Sequence, residues 1–237
     1  MHRIEVEPGL ATRLKQERGG KLHLHERLDA AHTAHVVIDL QNGFMEPGSP
    51  VEVPTAREIV SNVNAISDAV RRAGGTNIFV RFTTPPLETW SSFYSRFPAE
   101  HRQAHREAFA PGTHYWQLWP GLDVRDEDLI VEKTRFGAFI PGTSDLHDVL
   151  QARGIDTLII TGTVTNVCCE STARDAMQLN YEVIFVSDGT AAFSDAEHNG
   201  TLNSLCALFA DVMATEDVVA LLRGGATEAR PAEALAT

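Results

Sequence analysis

Between residues 35 and 214 short apolar, β-branched runs alternate with longer stretches of helical period, and that alternation is what most narrowly limits the fold. A strand that leads into a helix and then into another strand buries both apolar surfaces most simply as a βαβ unit, with parallel strands side by side and helices against their faces. Six strands are predicted, at 35–39, 77–82, 129–132, 157–161, 182–187 and 211–214. Runs such as Val36-Val37-Ile38 and Leu158-Ile159-Ile160 have no polar side, as expected of strands covered on both faces. The predicted architecture is therefore α/β: a Rossmann-like three-layer sandwich with a six-stranded, mostly parallel sheet and helices on both faces.

Helix punctuation falls where this scheme needs it. Pro54-Thr55 opens a helix over 55–73 that Gly74-Gly75 closes. Gly154 follows a helix at 145–153, Asn180 one at 166–179, and Gly224-Gly225 one at 216–222, while Ser194-Asp195 introduces a helix at 196–209. A chain of 237 residues holds one such domain. Its expected limits are 35–223, preceded by a polar arm at 1–34 laid across a neighbouring subunit and followed by a flexible tail at 224–237. The connection at 85–121 is far longer than usual and carries Trp90, Phe93, Tyr94, Phe97, Trp116 and Trp119. Two readings fit it: a lid or wall over a site at the sheet edge, or a subunit contact.

Composition excludes several classes of partner. A net charge of -12 with no dense Lys/Arg stripe disfavours nucleic acid. No stretch approaches the roughly 18 apolar residues of a membrane span. Three cysteines, two of them adjacent, make a poor disulfide framework and suit a reducing compartment, so a cytoplasmic protein is expected.

In an open parallel sheet ligands bind beyond the carboxyl ends of the strands. Asp39 closes the first predicted strand, Lys133 follows the third, and the fourth runs through Thr161-Gly162 toward Cys168. Thr165 reads as an N-cap that would put Cys168 in the first helical turn, where the helix dipole favours thiolate and free backbone N–H groups can hold an oxyanion. A carboxylate at Asp39 can take the thiol proton, and an ammonium at Lys133 can stabilise the negative charge that develops. Cys169 and Cys206 read as small core residues. His101 and His105 are spaced i, i+4, but Arg102, Gln103, Arg106 and Glu107 around them look like a solvated face, so no metal site and no cofactor are expected.

Three ordered motifs, D-L-Q-N-G-F from Asp39, E-K-T-R-F-G-A-F from Glu132 and G-T-V-T-N-V-C-C-E-S-T-A-R-D-A from Gly162, resemble those of the isochorismatase-like cysteine hydrolases over residues 35–222. The resemblance implies Asp39 as general acid/base, Lys133 as its electrostatic partner and Cys168 as nucleophile. It also implies a cis peptide at Thr163-Val164, an oxyanion hole from the N–H groups of Val164 and Cys168, and a homodimer or homotetramer. True isochorismatases generally lack the cysteine, and residues 45–60 hold none of the His and Asp that bind metal in nicotinamidases. The expected activity is hydrolysis of a C–N bond in a small amide, ureido or carbamoyl compound, and the cysteine segment is most similar to the ureido and carbamoyl enzymes. Gln41, Phe44, Phe136 and Phe139 are candidates for the pocket wall, with Arg81 or Arg135 meeting a substrate carboxylate. Rival readings are vinyl ether hydrolysis, a non-catalytic oligomeric scaffold, and a thiol redox switch through Cys168 and Cys169.

Overall fold

The computed structural model describes residues 1–224, so all but the first position of the expected tail lies outside the described residues. In chain order the main elements are α1 (Pro8–Glu17), β1 (Thr33–Ile38), α2 (Asn42–Met45), α3 (Val60–Ala73) and β2 (Thr76–Phe82). Then come α4 (Ser91–Tyr94), α5 (Ala99–Ala108), β3 (Leu129–Lys133), α6 (Leu146–Gln151) and β4 (Thr157–Thr163). The chain continues through α7 (Glu170–Gln178), β5 (Glu182–Ala191), α8 (Asp195–Leu208), β6 (Asp211–Met213) and α9 (Thr215–Gly224). Among the described residues no helix is long and apolar enough to cross a membrane.

All six strands join one sheet in the order β3-β2-β1-β4-β5-β6, and every neighbouring pair is parallel. The chain thus builds outward from β1 in one direction and from β4 in the other. At the reversal the connections leave on opposite sides and open a crevice above the carboxyl ends of β1 and β4. Alternate residues of β4 serve opposite faces: Leu158 and Ile160 pack with Leu146 of α6, Ala173 of α7 and Leu202 of α8, whereas Ile159 packs with Ile66 and Val70 of α3 and Val218 of α9. The wholly apolar strands are therefore covered twice, as their composition requires.

Two local features depart from the sequence reading or fix the strand spacing. The helix expected over 55–73 begins as a 3₁₀ segment, Pro54–Ile59, and becomes α-helical only at Val60; Pro54 opens the tight turn and Gly74, at φ +86°, closes the helix in the left-handed conformation. On β4, Gly162 adopts φ +118°, and a Cβ there would sit 2.0 Å from the Ile38 carbonyl oxygen, so only glycine lets β4 run this close to β1.

The N-terminal arm does not need a neighbouring subunit. Its backbone N–H groups at Glu5 and Glu7 donate to the side chains of Asn199 and Asn203 on α8, Arg18 donates to the Cys206 carbonyl, and Leu14 is buried in the main core. The apolar positions of α1 are few, but Leu14 finds its partners on its own chain. Further along, His23 and His25 both close on Asp211, the first residue of β6. His25 lies within 3.0 Å of Asp211 through Nδ1 and 3.1 Å of Glu182 through Nε2, an arrangement that a doubly protonated ring satisfies at both nitrogens. Burial opposes that charge, but the two carboxylates outweigh it and raise the His25 pKa to about 9. A raised histidine pKa stabilises the fold fully below the unfolded value near 6.5, and the contribution is lost as pH rises through the folded value. Stability is accordingly expected to fall between about pH 6.5 and about 9, with amide exchange accelerating first in residues 18–26. Asp211→Asn should flatten that pH dependence, as measured by thermal melts.

Candidate active site

Asp39, Lys133 and Cys168 arrive at the crevice from three different strand ends. Asp39 directly follows β1 at φ +53°, a left-handed conformation that aspartate tolerates better than most residues, and its N–H donates to the Val80 carbonyl. Lys133 is the last residue of β3 and reaches across β2, its Nζ 5.2 Å from the centre of the Phe82 ring. Its Nζ lies 2.8 Å from Asp39 Oδ2 and donates to the Arg135 carbonyl at 3.0 Å; neither side chain has any exposed surface. The Cys168 thiol, buried as well, lies close enough for the charges of both to act on it.

This burial sets the proton inventory. Desolvation pulls the Lys133 pKa down, but the charges of Asp39 and Cys168 and their hydrogen bonds reverse the effect and hold the ammonium charged. Desolvation pushes the Asp39 carboxyl up, with Lys133 opposing it. Cys168 is also pushed well up by burial, and here Lys133 counteracts only part of the shift. Where a helix start was expected to favour thiolate, burial instead shifts the balance toward the thiol. The local backbone supplies part of the reason. Residues Thr165–Cys169 form a single π-helical turn ahead of α7, and Thr165 is not its cap, because its hydroxyl lies 2.9 Å from the Nδ1 of buried His198 on α8. Val164 precedes that turn, and the Thr163-Val164 peptide bond is cis. Among the described residues the N–H group of Val164 meets no acceptor.

Beside Cys168 a cavity of about 660 Å³ opens toward the long insertion. Phe44 and Phe136 line it, in keeping with their place in the sequence motifs. The other four candidates do not. Gln41 spends its amide on backbone, donating to the carbonyls of Phe82 and Trp116 and accepting from the Phe82 N–H, so it fastens the loop after β1 to β2 and to the insertion. Phe139 lies in the main core against Tyr181. Arg81 stacks on Trp116, 3.6 Å from the ring centre, and pairs with Glu132; Arg135 donates to the carbonyls of Thr134 and Thr89.

The insertion forms a wall of the cavity through Phe93, Tyr94 and Phe97 together with α5. His101 and His105 line this wall, and the supposed solvated face of α5 is solvated only in part. His105 packs edge-on to Phe82 and close to Phe93 and Tyr94, and burial lowers its pKa to about 4. The signal was present in the sequence as the stripe His105, Ala108, Phe109, at i, i+3 and i+4. Phe82 and Phe193, at the ends of separate elements, also line the cavity and carried no such mark. Among the described residues no group of three or more His, Cys, Asp or Glu side chains could hold a metal ion. Cys169 and Cys206 are buried in the core, and all three thiols are free.

The class defined by the structure is a doubly wound α/β protein with a buried thiol, carboxylate and ammonium grouped at the switch point of its parallel sheet. The Isochorismatase domain model matches residues 33–217, and the chain belongs to the isochorismatase family of hydrolases. It is 33% identical over 193 residues to the uncharacterized isochorismatase family protein YecD of Escherichia coli O157:H7, covering 81% of this chain and 97% of that protein. Identity to the ureidoacrylate amidohydrolase RutB of Agrobacterium fabrum (strain C58) is 30% over 178 residues, or 69% of this chain and 77% of RutB. The crystal structure of a cysteine hydrolase from Pseudomonas syringae pv. phaseolicola 1448A superposes with a TM-score of 0.75 at 28% identity, covering 86% of this chain and 98% of that one.

Removing one member of a buried ion pair strands the other. Lys133→Met is expected to destabilise the fold by about 3–5 kcal/mol in urea titrations. Combining it with Asp39→Asn, which keeps a residue tolerant of positive φ, should recover a measurable part of that loss.

Proposed function

We propose that the chain is a cysteine-dependent hydrolase of a C–N bond in an amide, ureido or carbamoyl compound, acting through a thioester. The observation that carries this reading is the buried grouping of the Cys168 thiol with the Asp39–Lys133 ion pair, next to a Val164 N–H without an acceptor among the described residues. With the thiol as resting form, Asp39 accepts its proton as the sulfur attacks the carbonyl carbon. Lys133 remains charged and balances the negative charge that forms, and the N–H groups of Val164 and Cys168 receive the oxyanion. The C–N bond then breaks, Asp39 returns the proton to the leaving nitrogen, and ammonia departs. A water molecule next gives Asp39 a proton and attacks the thioester carbon. The C–S bond breaks, the acid is released and Cys168 regains its proton, so the cycle closes without redox chemistry.

Similarity to RutB, named a ureidoacrylate amidohydrolase, supports C–N rather than ether cleavage. The presence of a buried Cys168 beside the Asp39–Lys133 pair supports it independently. The test is ammonia release from a panel of small amides, ureides and carbamoyl compounds, with the native protein beside Cys168→Ala. Release by the native protein alone is the expected result; equal release by both would overturn the cysteine mechanism. Asp39→Asn, which cannot shuttle the proton, is expected to lower kcat by about 10²–10⁴-fold.

A further inference from the structure

Resting on the hydrolase reading of the same cavity, we infer that the substrate is the amide of a bulky, uncharged acid, preferably an aromatic one, and not a small ureido or carbamoyl acid. Size is the first argument. At about 30 Å³ for each water, a cavity of about 660 Å³ has room for some twenty, so a compact ureido acid would leave most of it wet. Lining is the second. The apolar wall that shares the cavity with Cys168 includes Phe44, Phe82, Phe93, Phe136, Val164 and Val167. Trp90 backs that wall, its ring 4.5 Å from Phe93 and 4.7 Å from Phe136, which fixes the aromatic planes in place.

Charge is the third. Both arginines expected to meet a substrate carboxylate are turned away and occupied, Arg81 on Trp116 and Glu132 and Arg135 on the carbonyls of Thr134 and Thr89. The ammonium of Lys133 is balanced by Asp39. Among the described lining residues there is no carboxylate, and the arginine among them is Arg102, a half-buried residue of α5. A carboxylate within a few atoms of the reacting carbonyl would lose its water with neither Arg81 nor Arg135 placed to replace it. What the deep wall offers instead is neutral polarity: His105, whose Nδ1 meets no partner among the described residues.

Two measurements on the full chain test this. In the first, kcat/KM for 3-phenylpropanamide is compared with that for N-carbamoyl-β-alanine and for acetamide. The arylalkyl amide is expected to lead both by at least about tenfold, the scale on which an apolar pocket discriminates, and Phe136→Ala should narrow the lead. A lead for the carbamoyl acid would overturn the inference while leaving C–N hydrolysis intact. The second measurement does not depend on turnover. Alkylation of Cys168 forms a C–S bond and expels chloride, the thiol proton passing to solvent, and is followed by intact mass for N-benzyl chloroacetamide and for chloroacetate. After division by each reagent's rate with glutathione, the benzyl reagent is expected to label at least about tenfold faster, and less so in Phe136→Ala. Selective labelling without turnover of any amide would uphold the cavity's preference and sink the hydrolase reading; equal normalised rates would overturn the preference.

Discussion

Everything near the catalytic group depends on one ion pair, Lys133 with Asp39, formed 2.8 Å apart without any exposed surface. Two charges this dry are tolerated only together, because either alone would face the full desolvation penalty. Their pairing is also what makes strand order matter. Lys133 ends β3 and Asp39 follows β1, so the bridge passes over the intervening end of β2, and the Phe82 ring fills the space beneath the ammonium. A register slip of one residue in β3 would turn Lys133 to the other face and leave Asp39 unbalanced. The sheet's registration and the site's electrostatics are thus the same constraint seen from two sides.

The pair also explains why a thiol with a strongly raised pKa suits this place. Burial favours the protonated form of Cys168, and in the proposed reaction Asp39 takes its proton as a carbonyl is attacked. The positive charge at Lys133 does not create a free thiolate; it limits the cost of forming one during attack. A π-helical turn, not a regular α-helix, joins β4 to α7, and the Val164 N–H just ahead of it meets no acceptor among the described residues.

Periodicity made the sheet legible in the sequence, and with it the common edge that gathers Asp39, Lys133 and Cys168, because strand ends are determined by short-range patterns. What it left open depends on direction within a strand or turn. Arg81 is adjacent to cavity-lining Phe82, yet successive side chains on a strand face opposite ways, so Arg81 meets Trp116 and Glu132 instead. Phe136 and Phe139 belong to one motif, but the irregular chain between them sends one to the cavity and the other to Tyr181 in the core. Thr165 had the right residue type for a cap and was claimed by His198, which lies 33 positions away in the chain. The N-terminal arm had too few apolar residues to announce where it docks, and its contacts with α8 are made chiefly by asparagine side chains.

The two halves of the cavity have separate origins. Asp39 and Lys133 stand at strand ends and Cys168 in the turn after β4, while much of the cavity wall belongs to the insertion between β2 and β3. The insertion is anchored through backbone atoms at its root, where the N–H groups of Asn42 and Gly43 donate to the carbonyls of Gln117 and Tyr115, and Gln41 reaches Trp116. Backbone anchors do not depend on which side chains follow them. Substitutions or length changes between residues 87 and 109 can therefore reshape what is admitted without disturbing the chemistry, making this segment the natural ground for evolutionary drift in substrate range and for libraries that seek to redirect it.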